Sequence, residues 1–144
     1  MGDGELRLDL AEKLDTYRGF APSPDDILIT SGSNHALILL FQTLLDPGDV
    51  VICEEHSYAG AIGRIKGRGA ELIPVSLDEN GLSADHLADI LAAQKAKGGT
   101  PKFIYTIPTI QNPTSTVMPL DRRRKILDIS REHGVPVRGA NVTR

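Results

Sequence analysis

Short apolar runs alternate with longer amphipathic stretches along this chain, and the alternation restricts the folds that are open to it. A strand is expected where apolar residues form a short unbroken run, and a helix where they recur every three or four positions. Five strand candidates separated by helices predict an α/β fold with a mainly parallel sheet and helices on both faces. The strand candidates are residues 27–29, 50–53, 71–76, 103–105 and a last strand that begins at 134–137.

The stretches between the strand candidates have the residue spacing of helices. Leu6, Leu10 and Leu14 predict a helix over about residues 5–18 that is closed by Gly19. Turns are expected where Asp, Asn, Pro and Gly cluster. The further predicted helices begin at about 36, cover 59–66, follow a Ser83 cap and cover 120–133, and the predicted turns are 46–49 and 78–81.

The charge balance and the single cysteine exclude several kinds of partner. With 16 Lys and Arg against 19 Asp and Glu, the formal net charge is −3, which argues against a nucleic-acid partner. The basic run 122–125 is expected to be the solvated side of a helix. Cys53 lies in an apolar run, so we expect a small buried hydrophobe, with no disulfide framework and no cysteine-ligated metal site.

The chain shows no signal for a membrane or for secretion. Its longest unbroken apolar run, Ala36 to Phe41, is far shorter than the roughly 20 residues that cross a bilayer. The first residues are acidic and lack the basic and apolar regions of a secretory signal. We therefore expect a cytoplasmic protein. Its 144 residues are enough for one domain with a core of its own.

The residues just after each strand candidate are the most informative, because ligands of parallel sheets collect beyond the carboxyl ends of the strands. The first candidate is followed by Ser31, Gly32, Ser33 and Asn34, and then by a helix. Glycine permits a sharp turn, and a helix N-terminus with the Ser33 hydroxyl and the Asn34 amide suits a phosphate. Ser and Asn are also ordinary helix caps, so this motif alone fits a structural role as well.

Polar loops also follow the second and the fourth strand candidates. The second is followed by Glu54, Glu55, His56, Ser57 and Tyr58. Tyr58 and, less so, His56 are candidates for a ligand contact, although a lone aromatic residue there usually packs against the fold. After the fourth, Pro108 and Pro113 frame a polar stretch that contains Asn112. Two prolines imply a rigid loop in which an X-Pro bond can be cis, or else a plain connection.

Taken in order, these segments resemble the class I and II aminotransferases of fold type I, which depend on pyridoxal phosphate. Each segment is short, but their order and spacing across residues 4–137 are those of the family. The similarity is greatest to the branch that acts on aromatic, 2-aminoadipate or branched-chain amino acids. The matching segments are Ser31-Gly32-Ser33-Asn34, Glu54-Glu55-His56-Ser57-Tyr58, Tyr105-Thr106-Ile107-Pro108 and Asn112-Pro113-Thr114, with 4–7 and 46–49.

The resemblance implies part of the aminotransferase large domain and a site for pyridoxal phosphate. Ser33 and Asn34 would hold the cofactor phosphate at the start of their helix. Tyr58 would stack on the pyridine ring, and Asn112 would donate its amide to the phenolic oxygen. By resemblance, residues 4–137 therefore form a partial pyridoxal-phosphate-binding large domain without a metal.

The chain departs from the family's pattern at several positions. His56 stands where the family usually has proline, and Ser115 where it usually has glycine. The family places a pyridinium-binding carboxylate at the end of the strand that begins near 135, but no acidic residue follows Glu132. None of the six lysines matches the family's Schiff-base lysine motif. The pattern is lost in the tail, residues 138–144.

The resemblance therefore implies a fragment of an aminotransferase. The parent enzyme would transfer an amino group between an amino acid and a 2-oxo acid, both small molecules. We expect the chain alone to be inactive, because the family's catalytic residues have no counterpart in it. The parent is expected to be a homodimer, and the fragment is expected to self-associate through an open sheet edge.

Two other interpretations remain open. The first is a regulatory or binding module with an aminotransferase-like domain, which would bind the cofactor without catalysis; a basic DNA-binding segment joined upstream would favour it. The second is an unrelated phosphate-binding α/β domain, which would bind nucleotides and would not respond to pyridoxal phosphate.

Overall fold

The computed structural model of the chain describes residues 2–139. They form two compact units, of which the first ends at Leu37 and the second begins at Ile38. Of the predicted tail, residues 140–144 lie outside the described part. None of the helices within residues 2–139 is long and apolar enough to cross a membrane.

A helix and a tight turn are the first regular elements of the first unit. Helix α1 covers Gly4–Arg18 and ends at Gly19, whose φ of 60° is the left-handed conformation typical of a helix end. A 3-10 turn covers Pro24–Asp26. Arg7 joins the two elements, because its Nη1 donates to the first carbonyl of the turn at 3.0 Å and to Asp25 Oδ1 at 3.1 Å. The predicted helix over 5–18 is confirmed.

The strand predicted over 27–29 is wrong. Residues 27–30 have no regular secondary structure and pair with no strand among residues 2–139. The N–H of Ile27 donates instead to the carbonyl of Pro24, 3.3 Å away, and closes the 3-10 turn. An apolar run becomes a strand only where a neighbour takes up its backbone hydrogen bonds, and no described segment does so here.

The second unit is built on a parallel sheet. The strands of the second unit, in chain order, are β1 (Val50–Glu54), β2 (Glu71–Val75), β3 (Leu77–Asp78), β4 (Gly81–Leu82), β5 (Phe103–Thr106) and β6 (Val137–Gly139). Four of them form one sheet in the order β2–β1–β5–β6, and every neighbouring pair in it is parallel. This confirms the predicted mainly parallel sheet.

Strand β2 is an outer strand of this sheet and contains a proline. The N–H of Glu71 donates to the carbonyl of Asp49, and the carbonyl of Val75 accepts from the N–H of Glu55, both at 2.8 Å. Backbone groups of successive residues in a strand point to opposite sides. The nitrogen of Pro74 therefore faces away from β1, and its missing N–H removes no bond of the sheet.

Helices and one hairpin complete the chain. Helix α2 covers Ser33–Leu44, α3 covers Ala59–Gly67, α4 covers Ala84–Ala96 and α5 covers Leu120–His133. Helix α2 begins before its predicted start at 36. The turn predicted at 78–81 is the tip of the antiparallel hairpin of β3 and β4. Its two-residue strands are too short to show an alternation of side chains in the sequence.

Helices cover both faces of the sheet, as predicted. On one face, Ile104 packs in a cluster with Leu87 of α4 and apolar residues of α5. On the other face, the ring of Phe103 stacks on Phe41 of α2 with centroids 5.9 Å apart. Tyr105 meets the same ring edge-on at 6.0 Å. Because side chains alternate along a strand, the two neighbours of Ile104 both point to the aromatic side.

Two predictions about single side chains have different outcomes. Cys53 is buried in β1, and burial raises the pKa of its thiol to about 11, which confirms a structural role.

The basic run 122–125 lies on α5, but it is not all solvated. Arg122 is half-buried and its Nη1 donates to Asp78 Oδ2 at 2.9 Å. The prediction of a solvated run is therefore wrong for Arg122 and also for Arg123, because each satisfies oxygen acceptors of a neighbouring segment.

The loop after β5 contains two residues in the left-handed region. They are Ile110, with a φ of 52°, and Ser115, with a φ of 62°. The peptide bond between Asn112 and Pro113 is cis, the form that the sequence allows at this point. A Cβ makes the left-handed region unfavourable by roughly 1–2 kcal/mol, and glycine avoids this cost. The loop therefore has a glycine-like conformation at Ser115 without a glycine.

We expect Phe41→Ala to lower the free energy of unfolding by about 3–5 kcal/mol, because Phe41 is 1% exposed and contacts two buried rings. Urea unfolding followed by circular dichroism measures the change. Phe20→Ala is the matched control: Phe20 is 61% exposed, and its loss should change the stability by no more than about 0.5 kcal/mol. Equal effects of the two variants would contradict the packing described here.

We expect Ser115→Gly to raise the free energy of unfolding by about 0.5–1 kcal/mol. It removes the left-handed strain of about 1–2 kcal/mol, and part of this gain is offset by the greater freedom of glycine in the unfolded chain. Thermal and urea unfolding measure it. Ser115→Ala keeps the Cβ and should give no gain, so a gain of the same size in both variants would speak against the strain.

Candidate functional site

Two loops leave the carboxyl edge of the sheet side by side. Strands β1 and β5 are neighbours, and Cys53 of β1 is paired with Tyr105 of β5. We call residues 55–58, which lead into α3, the β1 loop, and residues 107–119, which lead into α5, the β5 loop. Parallel neighbours end at the same edge of a sheet, so the two loops begin next to each other.

The carboxyl group of Glu54, at the end of β1, is bonded to both loops. It is 1% exposed. Its Oε1 accepts from the hydroxyl of Thr106 at 2.7 Å and from the N–H of Ile107 at 2.8 Å. Its Oε2 accepts from the hydroxyl of Ser57 at 2.8 Å and from the amide of Gln111 at 3.0 Å. All four partners are donors, which is the environment that a buried carboxylate requires.

Gln111 is the second buried polar side chain at this edge, with 2% exposure. Its Nε2 donates to Glu54 Oε2 and, at 2.6 Å, to the carbonyl of His56. Its Oε1 accepts from the N–H and from the hydroxyl of Thr114, both at 2.8 Å. One side chain of the β5 loop is thus hydrogen-bonded to the β1 loop and to its own loop at once.

Helix α5 holds the β5 loop from the other side. Arg123 Nη2 donates to the carbonyl of Pro108 at 2.8 Å and to the hydroxyl of Thr109 at 3.0 Å. Its Nε donates to the carbonyl of Met118 at 2.8 Å. The N–H of Met118 in turn donates to the Pro108 carbonyl at 3.0 Å. These bonds fix both ends of the loop. We call residues 110–116 between them its tip, and all of them except Gln111 are at least partly exposed.

Tyr58 is the last residue of the β1 loop and caps α3. Its ring is half-buried and lies over Gly60, where a Cβ would overlap the ring. Tyr105 lies close enough to interact electrostatically with Tyr58. The hydroxyl of Tyr105 is buried with no hydrogen-bond partner among residues 2–139, and burial raises its pKa to about 12. It therefore remains a donor at neutral pH.

Asn112 follows Gln111 directly and is exposed at the tip of the β5 loop. The N–H of Gln111 donates to the carbonyl of Thr116 at 2.8 Å, and its carbonyl accepts from the N–H of Ser115 at 2.6 Å. The backbone on either side of Asn112 is thus closed into a small ring of hydrogen bonds. This arrangement presents the amide of Asn112 to solvent on a fixed loop.

Ser33 and Asn34 lie in the first unit and form the first turn of α2. Gly32 precedes them with a left-handed φ of 82°, and its carbonyl accepts from the N–H groups of His35 and Ala36. The side chains of Ser33 and Asn34 are exposed. The N–H groups at the start of a helix have no acceptor within the helix, and together with the helix dipole they suit an anion such as phosphate.

The structure thus brings Tyr58 and Asn112 onto neighbouring loops that share a buried network. Ser33 and Asn34 stand together at a helix N-terminus, and a common site for all four residues stays a prediction. The sequence did not reveal the roles of Glu54 and Gln111. For Glu54 there was a signal, since a carboxyl group that ends an otherwise apolar strand must find donors. For Gln111 the sequence gave no signal, because its partners at the end of β1 and in the β1 loop are 57 and 55 residues away.

The comparison with known proteins agrees with the order of these segments. The family model of the class I and II aminotransferases matches residues 1–137. Among curated relatives, the aromatic-amino-acid aminotransferase 1 of Thermococcus litoralis is 34% identical over 128 residues, which cover 89% of this chain and 31% of that protein.

Solved structures of aminotransferases superpose closely on this chain. The kynurenine aminotransferase of Pyrococcus horikoshii, in complex with PMP, gives a TM-score of 0.90 at 35% identity, covering 97% of this chain and 34% of that one. The α-aminoadipate aminotransferase of Thermus thermophilus, complexed with N-(5'-phosphopyridoxyl)-L-leucine, gives 0.83 at 35% identity, covering 96% and 33%. The chain thus spans about a third of the length of these relatives. It belongs to the family of class I and II aminotransferases.

Proposed function

We propose that this chain forms part of the cofactor site of a pyridoxal-phosphate-dependent aminotransferase. The full-length enzyme would transfer an amino group between an amino acid and a 2-oxo acid. The observation that carries the proposal is the pair of loops at the ends of β1 and β5, which carry Tyr58 and Asn112 and are joined through hydrogen bonds of the buried Gln111 side chain. Family membership argues against an unrelated phosphate-binding domain.

The donor set fits pyridoxal phosphate. The flat face of Tyr58 suits an aromatic ring of the cofactor. Gly60 has no Cβ and so leaves room for the Tyr58 ring to lie against the start of α3. The amide of Asn112 is a donor for a phenolic oxygen. Ser33 and Asn34, at the start of α2, combine a hydroxyl, an amide and backbone N–H groups, and these are donors for a phosphate.

Each of these residues would make a different contact with the cofactor. When bound, the cofactor supplies a ring that withdraws electrons from the reacting carbon of the amino acid. Ser33 and Asn34 would anchor its phosphate, and Tyr58 would fix the plane of the ring. Asn112 would hold a hydrogen at the phenolic oxygen and so influence the electron distribution of the ring from one side.

Three lysines within residues 2–139 form ion pairs at the surface. Lys13 pairs with Asp9 at 2.7 Å, Lys102 with Asp49 at 3.2 Å and Lys125 with Asp85 at 2.6 Å. None of the six lysines lies in the β1 loop or the β5 loop. Since amino-group transfer in this family uses a lysine as base, we propose that the chain binds the cofactor but does not turn over substrates by itself.

The first test of the proposal is the binding of pyridoxamine phosphate to the 144-residue chain, measured by calorimetry. This probe is an amine and cannot react with surface lysines as an aldehyde would. We expect Tyr58→Leu and Asn112→Ala each to weaken binding about 3- to 10-fold, which corresponds to one stacking contact or one hydrogen bond. Pyridoxamine without the phosphate should bind more weakly than the phosphate ester.

Tyr17→Leu is the matched control, because Tyr17 lies on α1 and is 77% exposed. Its affinity for pyridoxamine phosphate should equal that of the parent chain. If the Tyr58 and Tyr17 variants bind alike, or if the phosphate makes no difference, the proposed site is wrong.

The second test is turnover. The chain incubated with pyridoxal phosphate and an amino acid donor should release no 2-oxo acid above the rate of free pyridoxal phosphate. Product is measured by a coupled dehydrogenase assay. Steady release of 2-oxo acid, together with one lysine that becomes covalently labelled after borohydride treatment, would overturn the proposed lack of activity and would leave the binding proposal intact.

A further inference from the structure

We propose that Gln111 is a positioning residue of the cofactor site. Its side chain fixes the β5 loop, and with it Asn112, against the β1 loop that carries Tyr58, and Glu54 is its buried partner. The inference rests on the proposed function, because it assigns ligand contacts to Asn112 and Tyr58. Gln111 itself is buried and acts through these neighbours.

The hydrogen bonds allow the Gln111 amide one orientation only. The two hydrogens of Nε2 meet two acceptors, Glu54 Oε2 and the carbonyl of His56. Its Oε1 meets two donors of Thr114. A half-turn of the amide would place oxygen against both acceptors and the NH₂ group against an N–H donor. All bonding positions are therefore used, and together they determine the separation of the two loops.

Burial makes these bonds difficult to replace. Glu54 is 1% and Gln111 2% exposed, so water has little access to either group once the other is removed. A buried acceptor or donor without a partner is unfavourable, and the surrounding backbone then moves until the group is solvated. Here the backbone that can move is that of the two surface loops, because Glu54 itself belongs to a central strand of the sheet.

The distance from the bonded groups to the proposed ligand contacts is short. Asn112 follows Gln111 directly, and His56, whose carbonyl is bonded, precedes Tyr58 by two residues. A displacement of either bonded group therefore reaches a ligand-contacting side chain through one or two residues of backbone. Arg123 fixes the ends of the β5 loop but makes no bond to residues 110–116, so Gln111 is the residue that positions the tip.

The test uses Gln111→Glu in the 144-residue chain, with pyridoxamine phosphate as the probe. This variant is nearly isosteric, but it places a second carboxylate against Glu54. We expect binding about tenfold weaker than in the parent chain, as for the loss of a hydrogen bond to a charged group. Glu54→Gln in the same chain restores an amide–carboxylate pair but leaves a carboxylate oxygen facing the His56 carbonyl, so the double variant should regain about half of the lost affinity on a logarithmic scale.

Gln111→Met replaces Gln111→Glu in this test if the charged variant does not fold, since it keeps the length of the side chain and removes all four hydrogen bonds. It should also weaken binding about tenfold. The matched control for the amide is Gln42→Ala on an exposed position of α2, which should bind like the parent. The control for stability is Leu91→Ala, in the core beside Pro101 and Val135 and so at the amino edge of the sheet, which should lower stability and leave the affinity unchanged. Parent-like affinity of both Gln111 variants, or an equal loss in Leu91→Ala, would overturn the proposal.

Hydrogen exchange tests the coupling without any cofactor. The amide hydrogens of Thr114 and Ile107 are bonded to Gln111 and to Glu54, respectively. Both should exchange at least about threefold faster in Gln111→Met and at the parent rate in Gln42→Ala. If the parent chain fails to bind pyridoxamine phosphate while both amides respond, the proposed function fails and the coupling stands. Unchanged exchange at Ile107 would overturn the coupling itself.

Discussion

The buried carboxyl group of Glu54 is the constraint on which the arrangement of loops at the carboxyl edge of the sheet depends. A carboxyl group at the end of a central strand cannot reach solvent, so the chain must supply donors around it. They come from both loops and from the last residue of β5, and the sheet thereby brings together segments that are more than fifty residues apart. No strand pairing joins the two loops to each other, and this polar cluster takes its place.

The arrangement shows how a rigid scaffold gives precision to exposed loops. The sheet and the helices on its two faces are held by apolar packing, which tolerates changes in side-chain shape. Hydrogen bonds with defined donors and acceptors tolerate much smaller changes in side-chain chemistry or position. In this protein the hydrogen bonds lie between the packed core and the residues proposed to touch the cofactor. A few polar groups therefore fix the positions of these surface residues relative to the core.

Much of the fold could be predicted from the sequence, because the signals are local. The apolar run at 50–53 and the helix closed by Gly19 each depend on a few adjacent residues, and the structure confirms both. The strand predicted at 27–29 depended on a partner elsewhere, which no local pattern can supply. The partners that Glu54 and Gln111 find in the polar network could not be predicted for the same reason. The ordered motifs predicted the loops that carry Tyr58 and Asn112, but the bridge through Gln111 needs the three-dimensional register of β1 against β5.

The proline in the middle of β2 has a consequence for encounters between molecules. An outer strand is normally a template on which a foreign peptide can add, by pairing with its free amide and carbonyl groups. At Pro74 the outward-facing position has no hydrogen to offer and carries a ring instead. Pro74 therefore makes this edge a poorer template for amyloid-like growth of the sheet, without a charged side chain at that position.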